Sequence, residues 1–193
     1  FTDVEKDALA AVPSLNAFIN FDALHLDPAS LPEDMPTIEA NEFHKIYRYL
    51  SYSVACLWKV SGISWNAIRV LCVVVLLFCA ILVYAISRLM LPPAWSLLVA
   101  HAFVWNPAVL ETMTHFRDFS KAFFILSVIY ILGTMIKRRP GKRHYIIAAA
   151  LIGLILGIGM GFRRDMQVIF PIALLVMASC RLQTMRFTFL WRI

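Results

Sequence analysis

The chain has 193 residues, 61% of them hydrophobic and only 16% charged, against about 45 to 50% apolar and about 25% charged in soluble domains. That composition excludes an ordinary soluble domain and specifies an integral membrane protein. The formal net charge of +6 does not point to nucleic acid, because the charges are segregated: nine of the twelve acids (Asp3, Glu5, Asp7, Asp22, Asp27, Glu33, Asp34, Glu39, Glu42) precede residue 43, and most cations follow it.

The chain opens on Phe1 with no initiator Met, basic n-region or apolar h-region, and Arg186 to Ile193 reads as the start of a further hydrophobic element. An internal piece of a longer membrane protein is therefore expected, with at least one span before Phe1. Residues 1–36 hold two short amphipathic patterns, Val4, Ala8, Leu9, Val12 and then Leu15, Phe18, Ile19, separated by Pro13 and followed by a Pro-rich loop. Helices this short need a support, and two supports stay open: a membrane surface, or the spans beneath a small soluble cap. From Thr37 a longer helix is expected, with Phe43, Tyr47, Leu50, Val54 and Leu57 in one apolar stripe. Tyr49, Tyr52 and Trp58 suit the interface, and Gly62 ends the helix.

Five spans follow: 70–87, 94–110 after Pro92-Pro93, 122–136, 145–162, and 166–180 with a kink at Pro171. The fold class is thus all-α, a polytopic transmembrane bundle over residues 66–193 behind an extracytoplasmic region, residues 1–65, of interfacial helices. The fifteen residues of 122–136 cover only about 22 Å of a hydrocarbon layer about 30 Å thick. The third and fifth helices are accordingly expected to draw their outer turns from the charged residues before them, which sets Asp118, Lys121, Arg164 and Asp165 below the headgroups; local thinning of the bilayer is the alternative. The loop from Lys137 to His144 has five cations and no acid, which places it in the cytoplasm and the turns at 111–118 and 161–165 outside. Gly153, Gly157 and Gly161 recur every four residues, a face on which another helix packs closely.

Glu111, His115, Arg117, Asp118 and Lys121 concentrate five ionisable groups between two charge-free stretches. On a helix starting near His115, Arg117 and Asp118 fall four and three residues before Lys121, so one carboxylate sits among two cations and positive charge is left over. That surplus suits a phosphate; an interfacial cap with snorkelling Arg and Lys is the other reading. Glu111 and His115 make no metal site by themselves, His101 inside a span most simply bonds across helices, and Cys56, Cys72, Cys79 and Cys180 lack the spacing of a zinc site or a disulfide pair. Joined with Arg163, Arg164 and Asp165, the Arg/Lys cluster and an acid of the head would serve transfer of a group from a lipid phosphate to a hydroxyl. An anion transporter and a lipid-binding or assembly subunit use the same charges.

The run Tyr47-Arg-Tyr-Leu-Ser-Tyr52, then Trp58-Lys-Val-Ser-Gly62, Ala67-Ile-Arg69 entering a span, Asn106-Pro107, Arg117-Asp-Phe-Ser-Lys121 and Gly161-Phe-Arg-Arg-Asp165 resembles the amino-terminal third of the GT-C superfamily of polyprenyl-phosphate-sugar-dependent membrane glycosyltransferases. Tyr49 stands where that family usually has Pro, and Val4 separates two acids that many members have adjacent. The resemblance implies an inverting enzyme of a bacterial inner (plasma) membrane with an outer-facing lipid-linked sugar donor. It implies Asp3 as base, with Glu5 second, although Asp3 also reads as an acid at a helix N-terminus. Donor phosphate would fall to Arg117, Asp118, Lys121, Arg163, Arg164 and Asp165. Partners are then the lipid donor and membrane lipids, with no nucleic acid; no metal ligands are assigned, although some relatives need a divalent cation.

Overall fold

The first described helix, α1 (Pro13–Ile19), starts on a proline whose missing N–H is no loss in a first turn. The computed structural model describes residues 11–32, 47–138 and 141–190, without the side chains of 114, 116–118 and 182–190. Asp3 and Glu5 lie outside the described residues, as does Phe43. The chain forms two compact units, Phe1–Leu71 and Cys72–Ile193.

In the first unit α1 is followed by strand β1 (His25–Leu26), a 3-10 turn at Pro28–Ser30, helix α2 (Arg48–Ser61) and strand β2 (Ile63–Ser64). The strands pair antiparallel, His25 with Ser64 and Leu26 with Ile63. Two residues show no sequence period, so this ladder was not foreseeable from hydropathy. On α2 the expected stripe holds, with Tyr47, Leu50, Val54 and Leu57 half-buried. Gly62 ends the helix at φ 79°, a backbone region that suits glycine. Tyr49 and Tyr52 are exposed. Trp58 is half-buried: its ring meets Phe18 edge-on at 5.8 Å and its Nε1 donates to the Ser64 carbonyl at 3.0 Å. Its polar atom finds a partner inside the fold, as buried indoles generally do.

Helix α3 (Trp65–Ser87) runs on from β2 and is rich in Val, Ile and Leu. In water such β-branched residues favour strands, but in hydrocarbon only a helix satisfies every backbone group internally. A turn at Arg88–Leu91 and the Pro92-Pro93 pair lead into α4 (Pro93–Val104), then α5 (Pro107–Thr114), α6 (Phe116–Arg138), α7 (Lys142–Phe162), a 3-10 helix at Arg164–Val168, and α8 (Ile169–Leu190). The described fold is all-α apart from the two-residue ladder. Among the described residues Trp65–Ser87, Phe119–Arg138 and Lys142–Phe162 are long and apolar enough to cross a membrane, and α4 is a shorter apolar helix.

The expected single span over 94–110 is corrected: the helix breaks after Val104. Trp105 closes α4 by donating to the His101 carbonyl at 3.1 Å, and Asn106 restarts the chain by accepting from the Ala108 N–H at 2.9 Å, with Pro107 in the first turn. An Asn cap followed by Pro is a strong start signal, and it overrides the continuing apolar composition. The kink at Pro171 is also corrected, since Pro171 is the third residue of α8, where its missing N–H interrupts little.

Helix α6 belongs to both buried clusters of the second unit. On one side Val128 and Met135 pack with Ala148, Ile152 and Leu156 of α7, Met166, and Ala173 and Met177 of α8. On the other, Phe119 packs with Leu76 and Cys79 of α3, lined by Phe103, Val104, Val109 and Met113. The outward residues are apolar too, including Val73, Leu77, Ile81, Leu97, Leu98, Leu154 and Leu175. Exposure of that kind suits lipid, and in lipid the inner contacts hold by close packing more than by exclusion of water.

On α7 the expected glycine face meets no neighbour at Gly153 or Gly157 among the described residues. A Cβ on Gly153 or Gly157 would meet nothing within 4 Å, whereas one on Gly159 would lie 3.1 Å from Met166 Cε and 3.3 Å from Phe124 Cγ. The close approach is at Gly159, in line with the buried Ala148, Ile152 and Leu156 at steps of four, four and three.

Candidate ion-pair site at the α6 and α7 termini

Helix α7 ends where the Arg163 N–H donates to the Gly159 carbonyl at 2.8 Å; Arg163 is then extended (φ −156°, ψ 122°), and the 3-10 helix follows. Met166 is buried 3.1 Å from the Cβ position of Gly159, so the absence of a side chain at 159 lets the connection fold back against α6 and α7. Phe162 packs on Phe124 with ring centroids 5.1 Å apart. Phe124 is three residues beyond Lys121, and this packing brings Asp165 to Lys121 across 44 residues of sequence.

The Lys121 Nζ lies 3.4 Å from Asp165 Oδ2, and the Arg163 Nε lies 3.3 Å from Asp165 Oδ1. One carboxylate is shared by two cations, one oxygen to each. Both distances exceed the 2.7 to 2.9 Å of a tight charge-assisted bond. The side chains of Lys121 and Asp165 are 32% and 46% exposed, so the pair stands open to its surroundings. Arg164 is exposed beside them. Lys121 and Arg163 on Asp165, with Arg164 next in the chain to Arg163, supply guanidinium and ammonium groups of the kind that suit an anion with several oxygens.

Of the sequence-proposed residues, the structure brings together Lys121, Arg163 and Asp165, and Arg164 lies between the last two in the chain. Arg117 and Asp118 lie in the first turn of α6, with side chains outside the described set, so the carboxylate seen beside Lys121 is Asp165. The charged residues before the third span are part of its helix, as expected. Those before the fifth are not: Arg164 and Asp165 belong to the 3-10 helix, ahead of α8. His101 makes no bond across helices among the described residues; its ring packs on Trp105, the residue that caps α4, with centroids 6.1 Å apart. Among the described residues no three His, Cys, Asp or Glu side chains gather as a metal site, and none of the four cysteines forms a disulfide. Sequence reading missed Gly159, Phe124 and Phe162, which assemble the cluster; the signal was Gly159 at seven residues before Met166 on a chain reversal.

Comparison with protein-family models, with curated proteins and with solved structures returns no match.

Proposed function

We propose that the chain is a polytopic membrane bundle and part of an inverting glycosyltransferase, in which Lys121, Arg163 and Arg164 hold the phosphate of an outer-facing polyprenyl-phosphate sugar donor. The observation that carries this reading is the meeting of Lys121, Asp165 and Arg163 at one end of α6 and α7, opposite the basic Lys137 to His144 segment. Lys121 and Lys137 are sixteen residues apart, about 24 Å of helix, against about 30 Å of hydrocarbon. With Lys137 at the cytoplasmic boundary, Lys121 stands just inside the outer one, at the depth of a lipid phosphate.

In the step, an acceptor hydroxyl oxygen attacks the anomeric carbon from the face opposite the phosphate. The carbon–oxygen bond to phosphate breaks, its electron pair leaves with the phosphate oxygen, and the hydroxyl proton passes to Asp3 or, second, Glu5. The leaving phosphate gains one negative charge, which Lys121, Arg163 and Arg164 stabilise. Before the donor arrives Asp165 occupies the cations, and its loose geometry makes it displaceable.

The test uses the full-length protein in proteoliposomes with a panel of polyprenyl-phosphate sugars and hydroxyl acceptors. Lys121→Gln and Arg163→Gln should each lower kcat/KM by about 10- to 100-fold, the worth of a hydrogen bond to a charged group, and Asp3→Asn should remove transfer. Absence of transfer by the unaltered protein, or transfer indifferent to all three changes, overturns the proposal.

A transporter is the second reading, favoured by the break between α4 and α5, which is flanked by Val104 and Val109 beside Leu76 and Cys79 near the middle of α3. Broken helices at mid-depth are common in transporters. Movement of a polyprenyl-phosphate sugar across the vesicle without chemical change would select it.

A further inference from the structure

Phe21 is the one non-glycine residue with a positive φ among the described residues, at 65°. A bulky side chain in the left-handed region is strained by about 1 to 3 kcal/mol, and such strain persists only where the surroundings hold it. Here the surroundings hold an aromatic ring outward. Phe21 is 59% exposed and Leu24 beside it 37%, while one face of the Phe21 ring rests on Trp65 with centroids 4.6 Å apart.

Trp65 secures this loop at several points. Its backbone N–H donates to the Leu24 carbonyl at 3.0 Å, its Nε1 donates to the Phe18 carbonyl at 2.8 Å, and its ring stacks on Phe18 at 5.2 Å. The His25 and Ser64 pairing closes the other side. Residues 18–25 therefore cannot leave the first turn of α3 without breaking these bonds.

Trp65 is also the first residue of α3, whose 23 residues cover about 34 Å, slightly more than the hydrocarbon layer of about 30 Å. A helix of that length crossing a bilayer puts its first residue at the boundary, where Trp is at home. We infer that Phe21 and Leu24, fixed to Trp65, form a collar that enters the boundary between headgroups and acyl chains where α3 enters the membrane. The partner of this exposed apolar surface is the bilayer itself, and the left-handed backbone at Phe21 is what turns the ring toward it. The inference rests on α3 crossing the bilayer and is independent of glycosyl transfer.

The experiment places a photoreactive benzoyl-phenylalanine at position 21, and separately at position 24, in the full-length protein in native membranes. The exposed polar Asp27 position, six residues from Phe21, is the control. Illumination should give phospholipid adducts, seen by intact mass, at positions 21 and 24 several-fold above those at 27. Adducts to protein at 21 and 24, or lipid adducts no more frequent than at 27, overturn the inference.

Discussion

Gly62, at φ 79° and ψ 162°, occupies a region that is essentially glycine-only. A Cβ there would meet nothing within 4 Å, so Gly62→Ala tests the backbone alone and should destabilise the protein by about 1 to 3 kcal/mol in detergent unfolding. Gly159 offers the reverse case, an ordinary helical backbone with neighbours at 3.1 and 3.3 Å. Gly159→Leu should cost about 1 to 3 kcal/mol through overpacking against Met166 and Phe124, while Gly157→Leu, facing open space, should leave the melting temperature unchanged or raised. At the ion pair, exposure of both side chains sets the coupling between Lys121→Met and Asp165→Asn at below about 1 kcal/mol in a double-mutant cycle. A coupling that small is what allows an incoming anion to separate them. The charges themselves were legible in the sequence as islands between apolar runs. Their pairing was not, because Asp118 lies three residues from Lys121 whereas Asp165 reaches it through the distant packing of Gly159, Phe124 and Phe162.

Helix by helix, the apolar windows located α3, α6 and α7, and the helices then run past those windows by several residues. Val70 was the expected first residue of a span that begins at Trp65, and Ala122 of a helix that begins at Phe116. A helix continues into the interface for as long as its backbone bonds do, so the edges of a charge-free window mark hydrocarbon and not helix ends. The break at Trp105 and Asn106 was lost for the opposite reason: aromatic and apolar residues on both sides conceal a polar cap. Asn106→Ala should cost about 0.5 to 2 kcal/mol by leaving the Ala108 N–H without its acceptor, a loss that Asn106→Asp or Asn106→Ser should largely restore. Restoration by neither would mean that the break is held by Pro107 and packing instead of the cap.

For the molecule as a whole, composition and the apolar windows anticipated a helical chain with helices long and apolar enough to cross a membrane, whereas the two-residue ladder and the aromatic contacts around Trp65 in the first unit depend on pairings that hydropathy does not register. Labelling with an impermeant thiol reagent in oriented vesicles checks the arrangement. Met90, 91% exposed in the turn after α3, and Arg138 at the end of α6 should, as Met90→Cys and Arg138→Cys, react from one side of the membrane. Arg164→Cys should react from the other. Equal reactivity of Met90→Cys and Arg164→Cys from one side would contradict the bundle proposed above.

The contact between α3 and α6 also limits how the chain is threaded. Phe78 meets Phe123 with centroids 6.0 Å apart, a Cβ on Gly133 would lie 2.7 Å from Leu89, and Lys137 donates to the Leu89 carbonyl. The two helices therefore point the same way. In the bundle proposed above α3 and α6 cross in one direction, and the segment that returns between them holds α4 and α5. Their 12 and 8 residues together cover about 30 Å, one bilayer's hydrocarbon. Neither helix is long enough to cross alone, so in that bundle the return from the end of α3 to the start of α6 falls to the two together.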